Sequence, residues 1–136
     1  GALLNLKDKF GKSALVYCVN KARIKATELL LVHQPEVDSL DKFEWTPLMW
    51  AVKKDYIEII KLLVEHKANI NHKDDDGTPL IQYAVENESV DIVKFLIEKG
   101  VDINVSDQYG LSPLVYALKT KNKAMVDLIR SAGGEY

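Results

Sequence analysis

Apolar and polar positions recur along this chain with a period of 33 residues. Leu15, Leu48, Ile81 and Leu114 form one apolar column, Leu29, Leu62, Phe95 and Leu128 a second, and Leu30, Leu63, Leu96 and Ile129 a third. Four aspartates, Asp8, Asp41, Asp74 and Asp107, keep the same interval, and ten residues after each stands a small side chain, Cys18, Ala51, Ala84 or Ala117. The register runs the length of the chain without insertion or deletion. Each period holds two short apolar stretches, such as Pro47 to Lys53 and Ile57 to Glu65, divided by a polar turn such as Lys54-Asp55. The second stretch has helical i, i+3, i+4 spacing in Ile59, Leu62 and Leu63. An Asp-x-x-Gly turn opens each unit, where aspartate bonds back to the main chain and glycine accepts a left-handed backbone. Glu44 stands in that glycine column, so strain is expected there if the backbone is left-handed. The pattern predicts one domain of four helix–turn–helix units, near 5–37, 38–70, 71–103 and 104–136.

A 33-residue unit of a turn and two helices resembles the ankyrin repeat. The family's Thr-Pro-Leu-x-x-Ala stands here as Thr46-Pro47-Leu48-Met49-Trp50-Ala51, and in related form as Ser112-Pro113-Leu114-Val115-Tyr116-Ala117. Second-helix signatures lie at Ile59 to Glu65 and Ile92 to Gly100, and the closing Asp/Asn-Ile-Asn at Asn69-Ile70-Asn71 and Asp102-Ile103-Asn104. The resemblance covers essentially the whole chain. It implies an all-α ankyrin-repeat solenoid whose units are joined by β-turn loops. Thr78-Pro79-Leu80 sits one residue early. Keeping the register puts Ile81 in the leucine slot and leaves that helix without a threonine cap. Val16, Met49, Gln82 and Val115 replace the family's first-helix histidine, so its threonine–histidine hydrogen bond is absent.

Composition narrows the function. A net charge of −2 gives no basic field for nucleic acid, and no run of apolar residues is long enough to span a bilayer. Lysine outnumbers arginine 16 to 2, which argues against bidentate phosphate recognition. The single cysteine, Cys18, excludes an internal disulfide and points to the cytosol or nucleus. At an alanine slot it reads as a small core residue. Asp74-Asp75-Asp76 lacks the spaced ligands of a calcium loop, and the histidines offer no zinc set. No metal, cofactor or enzymatic activity is expected. Lys123 and Arg130 replace apolar residues of the earlier units, as an outer cap requires. Ala2, Leu3 and Leu4 occupy the closing phase of a preceding unit, which suggests a piece of a longer protein or an engineered array.

The aromatic residues carry the functional reading. Eight of the eleven fall at three phases: Phe10, Phe43 and Tyr109 at the turn tip, Trp45 two residues on, and Tyr17, Trp50, Tyr83 and Tyr116 on the first helices. The family resemblance implies that turns and first helices line a concave face where partners bind. The first-helix rings either pad helix seams or form a groove for an extended peptide, in which aromatic anchors dominate. The groove is favoured, most strongly for the turn-tip rings. Lys53 and Glu86 would set specificity, with lysines in the first two units and Asp75, Asp76 and Glu86 in the third. Trp45 to Ala51 also resembles a segment of ankyrin adaptors that bind Pro/Leu linear motifs, which would centre the groove on Trp50 and Tyr83. The expected partner is a protein or linear peptide bound by a monomer. The alternative is a scaffold segment of a multidomain protein. The family also implies that Asn104 is a possible site of hydroxylation.

Overall fold

The computed structural model describes residues 2–136. After a short 3-10 turn, Ala2–Asn5, come eight α-helices: α1 (Ala14–Asn20), α2 (Ile24–Val32), α3 (Pro47–Lys53), α4 (Ile57–Glu65), α5 (Leu80–Glu86), α6 (Val90–Glu98), α7 (Pro113–Thr120) and α8 (Lys123–Ser131). Every helix start is reproduced by a shift of 33 residues. The first helix of the third unit begins at Leu80, with Pro79 at the cap position and no side-chain cap. The buried column therefore overrides the displaced motif: Leu15, Leu48, Ile81 and Leu114 are all buried.

The chain forms two compact units, Gly1–Asn69 and Ile70–Tyr136. In the first, α1 packs on α2 and α3, α3 on α4, and α2 on α4. In the second, α5 packs on α6 and α7, α7 on α8, and α6 on α8. Their cores are aliphatic, with Val19, Leu31, Leu48, Ile60 and Leu63 fully enclosed in one and Leu80, Val85, Val93, Leu96 and Ile129 in the other. Burial of such side chains contributes about 1.5–3 kcal/mol each. The column of Leu29, Leu62, Phe95 and Leu128 is less buried than its periodicity suggests: Leu29 is 62% exposed and the other three are half-buried. Cys18 is likewise half-buried rather than a core residue. Lys123 and Arg130 are exposed.

Helix entry follows local chemistry. Thr46 Oγ1 accepts the Met49 N–H at 3.2 Å, and Pro47 fills the first helical position, where no amide donor is needed. Ser13 caps α1 in the same way through Val16. Ser112 resembles Thr46 in sequence but makes no cap; its hydroxyl donates to the Glu135 carbonyl. Three columns adopt left-handed backbone: Gly11, Glu44, Gly77 and Gly110 in the opening turns; Ala22, Asp55, Glu88 and Lys121 between the helices of each pair; and Gln34, Lys67, Gly100 and Gly133 after the second helix. Glu44, at φ 59°, bears the strain expected of it.

A second periodic device joins consecutive repeats. The side-chain oxygens of Asn5, Asp38, Asn71 and Asn104 accept the backbone N–H of Glu36, Asn69, Asp102 and Glu135, at 2.8, 3.0, 2.8 and 2.8 Å. Each bond spans 31 residues and pins one closing loop to the next. Asn104 also donates through Nδ2 to the Gly133 carbonyl at 3.1 Å, so both ends of its amide are engaged.

Candidate functional site

The opening turns are organised by the aspartate column. Each aspartate's backbone N–H donates to the carbonyl four residues on, and its carbonyl accepts the N–H three residues on, in all four turns. Its Oδ1 then accepts two more backbone N–H groups. Asp8 takes those of Phe10 and Lys12, Asp41 those of Phe43 and Trp45, Asp74 those of Asp76 and Thr78, and Asp107 those of Tyr109 and Leu111, all at 2.9–3.0 Å. The other oxygen, Oδ2, accepts from the aromatic ring nine residues later. Trp50 Nε1 donates to Asp41 at 2.9 Å, and the hydroxyls of Tyr17, Tyr83 and Tyr116 donate to Asp8, Asp74 and Asp107. A carboxylate suits this place because it is acceptor-only with two oxygens.

The first-helix rings are therefore neither seam padding alone nor free groove walls. Their polar ends are tethered to the turn, while Trp50, Tyr83 and Tyr116 remain half-buried and Tyr17 exposed. The signal was present in the sequence: this column holds only rings with a donor, Tyr or Trp, and no Phe. The tethers also shift ionisation. The Asp8 carboxylate holds the Tyr17 phenol above its ordinary pKa, and the Tyr17 hydroxyl, with the Lys12 and Phe10 amides, holds Asp8 below the usual range. Burial and the Asp74 bond push Tyr83 upward. The Asp107 bond and burial push Tyr116 up to about 12. Burial raises Asp107, but the Tyr116 hydroxyl and the Leu111 and Tyr109 amides outweigh it, for a net lowering.

In the first unit the candidate residues come together with lysines between them. Phe10 and Phe43, 43% and 52% exposed, share the ammonium of Lys42, which lies 5.5 Å from one ring centroid and 5.1 Å from the other. Lys12 lies 5.8 Å from the Tyr17 centroid and 5.3 Å from that of Trp50, and Lys9 lies 5.2 Å from that of Phe10. Trp45 and Trp50 meet at 4.6 Å with a tilt of 54°, within the favourable range for aromatic pairs. Lys53, at the end of α3, is exposed. Periodicity alone did not single out Lys9, Lys12 and Lys42; their place beside the ring columns was the available clue.

The second unit carries a more acidic version. Tyr109 is 74% exposed at its turn tip, and Gln108 Nε2 donates to Thr78 Oγ1 at 3.4 Å. Exposed Glu86 accepts from Gln82 Nε2 at 2.7 Å and lies close enough to act electrostatically on Tyr116. Lys119 stands 4.9 Å from the Tyr116 centroid. The tip position of the third repeat is Asp76, beside Asp75, both exposed.

Among the described residues no group of three or more His, Cys, Asp or Glu is arranged to hold a metal ion, and no helix is long and apolar enough to cross a membrane. Burial pushes the Cys18 thiol up, with Arg23 opposing in part, which makes it a poor nucleophile.

A family model described as ankyrin repeats (3 copies) matches residues 1–74 and again 66–136. No curated protein matches the chain. With two matches that between them run from the first residue to the last, over helix pairs that repeat every 33 residues, the chain belongs to the ankyrin-repeat family, whose members are in general protein-interaction modules and typically not enzymes.

Proposed function

We propose that the turn and first-helix face of residues 1–69 is a protein-binding surface that takes an extended segment of a partner across Phe10, Phe43, Trp45 and Trp50. One observation carries this reading. Phe10 and Phe43 serve the turn through their backbone N–H groups, while their rings, whose partners are the ammonium groups of Lys9 and Lys42, are about half exposed. Exposed aromatic surface costs about 25 cal/mol per Å² relative to burial, and a partner that covers it recovers that free energy. The rings are held ready. Trp50 is fixed by Asp41 and Trp45 by Trp50, so little side-chain freedom is lost on binding. In the second unit Tyr83, Tyr109 and Tyr116, with Glu86, form the corresponding surface.

Selection of random 12-residue peptides displayed on phage against the full chain tests the reading. The enriched peptides are then measured by fluorescence anisotropy against wild type, Phe43→Ala and Phe10→Ala. Truncation of an aromatic anchor costs about 2 kcal/mol, so affinity should fall about 30-fold. Enriched peptides that bind both variants as tightly as wild type would show that binding lies elsewhere.

A further inference from the structure

We infer that the ring surface of residues 1–69 selects an acidic polypeptide segment, with side-chain carboxylates landing on Lys12 and Lys42 and the intervening apolar side chains landing on Phe10, Phe43 and Trp50. The inference rests on the proposed binding surface and adds the chemistry of what binds it.

The charge of the chain is divided between its two units. Residues 1–69 hold 11 Lys and Arg against 9 Asp and Glu, while residues 70–136 hold 7 against 11. At the aromatic face of the first unit three lysines, Lys9, Lys12 and Lys42, stand beside the rings. Of the turn carboxylates Asp8, Asp41 and Glu44, the two aspartates each already accept from two backbone amides and one ring donor. Asp41 is buried, while Asp8 and Glu44 are exposed. The ammonium groups of Lys9, Lys12 and Lys42 lie over ring faces. A ring face satisfies one side of an ammonium electrostatically, but the three N–H donors have no acceptor in a ring plane that matches a carboxylate. An incoming carboxylate therefore gains an ion pair at Lys42, and at Lys12 it joins Asp8, which already acts on that ammonium.

The placement also sets the form of the ligand. Lys42 sits between the tip rings of two successive repeats, and Lys12 between the helix rings of the same two repeats. Charge and apolar face alternate along the surface, so an extended segment that alternates acidic with apolar residues matches it. A single-stranded nucleic acid is the competing polyanion, since it too uses rings and cations. It is disfavoured by the net charge of −2 for the chain and by lysine in place of arginine, whose planar group would match phosphate.

The test uses four labelled probes with the full chain at about 50 mM salt: the peptides (Glu-Leu-Pro)4, (Gln-Leu-Pro)4 and (Lys-Leu-Pro)4, and a 12-nucleotide single-stranded RNA. The acidic peptide should bind about tenfold or more tighter than the neutral one, weaken as salt rises, and lose about tenfold with the Lys12→Gln/Lys42→Gln double variant. Those side chains take no part in the hydrogen bonds that hold the turns, and circular dichroism should confirm an unchanged fold. Equal binding of the Glu and Gln peptides, with loss on Phe43→Ala, would overturn the acidic preference and leave the ring surface standing. Binding of the acidic peptide that is indifferent to Phe43→Ala and to the lysine variant would overturn both. Tighter binding of the RNA than of the acidic peptide, or no binding of the acidic peptide, would overturn the inference.

Discussion

Asp41 and Trp50 give the sharpest test of how the turns are held. Asp41 is 5% exposed and accepts three hydrogen bonds, from Phe43 N, Trp45 N and Trp50 Nε1. In Asp41→Asn the amide oxygen can keep the two backbone N–H groups, but as neutral bonds. The amide nitrogen is then left facing the indole N–H. Indole is a donor only, so donor meets donor and the indole loses its partner. Loss of charge assistance and an unpaired, half-buried donor together should cost about 2–4 kcal/mol. A tyrosine hydroxyl both donates and accepts, so adding Trp50→Tyr to the Asp41→Asn variant lets the new amide donate to the phenol. That is the ring type the other three repeats carry at this phase.

The double variant should therefore be more stable than the sum of the two single losses by about 1–2 kcal/mol, a favourable coupling in a double-mutant cycle. Urea unfolding followed by the fluorescence of Trp45 reads the right unit, and unchanged m-values establish that only stability has moved. A cost below about 0.5 kcal/mol for Asp41→Asn, or a coupling of zero or opposite sign, would refute the donor–acceptor reasoning.

Other consequences follow from the same devices. Tyr116 is raised to about 12 and Asp107 is lowered. The stabilisation from their bond should thus be fully present between about pH 4 and pH 10 and fade as pH falls through the Asp107 value or climbs toward 12. Tyr116→Phe should flatten both limbs, as read from urea midpoints across pH, and remove one late-titrating phenol from the 295 nm absorbance titration. Lys67, exposed at φ 72° where later repeats carry Gly100 and Gly133, should gain about 0.5–1 kcal/mol on Lys67→Gly, the relief of strain exceeding the entropy cost; a lowered urea midpoint would contradict this. Asn71→Ala removes the acceptor of the Asp102 N–H and should cost about 1 kcal/mol, with faster hydrogen exchange at the Asp102 amide.

The sequence made the helices legible because a packed helix pair leaves a periodic apolar trace. The bounds of α3, Pro47–Lys53, and α4, Ile57–Glu65, were visible as apolar stretches. A shift of 33 carries them onto α5 and α6 even where Thr78-Pro79-Leu80 suggested an earlier start. Bonds that cross from one element to another leave no such trace. The Asp41–Trp50 bond joins residues nine apart, and the Asn71–Asp102 bond spans 31; neither spacing belongs to a helix or strand period. Leu29 stands 62% exposed for a related reason. Periodicity identifies an apolar face, but only the packing of α2 on α1 and α4 decides which part of that face is covered. Cys18 differs from Ala51 on the same ground.

The clamp changes what the aromatic columns mean. Padding and recognition looked like rival roles for Tyr17, Trp50, Tyr83 and Tyr116, yet a ring can tie its polar edge to an aspartate and still offer its face. These four rings are accounted for by the fold, so their presence alone is weak support for binding. The turn-tip column is different. The fold asks only for its backbone N–H, and the third repeat meets that demand with Asp76. Aspartate at positions 10 and 43 would serve the turn equally well and would keep apolar surface out of water. Phe10 and Phe43 are therefore the residues that folding does not explain, and with Lys42 held between them they are where a partner's contribution to this surface should be sought first.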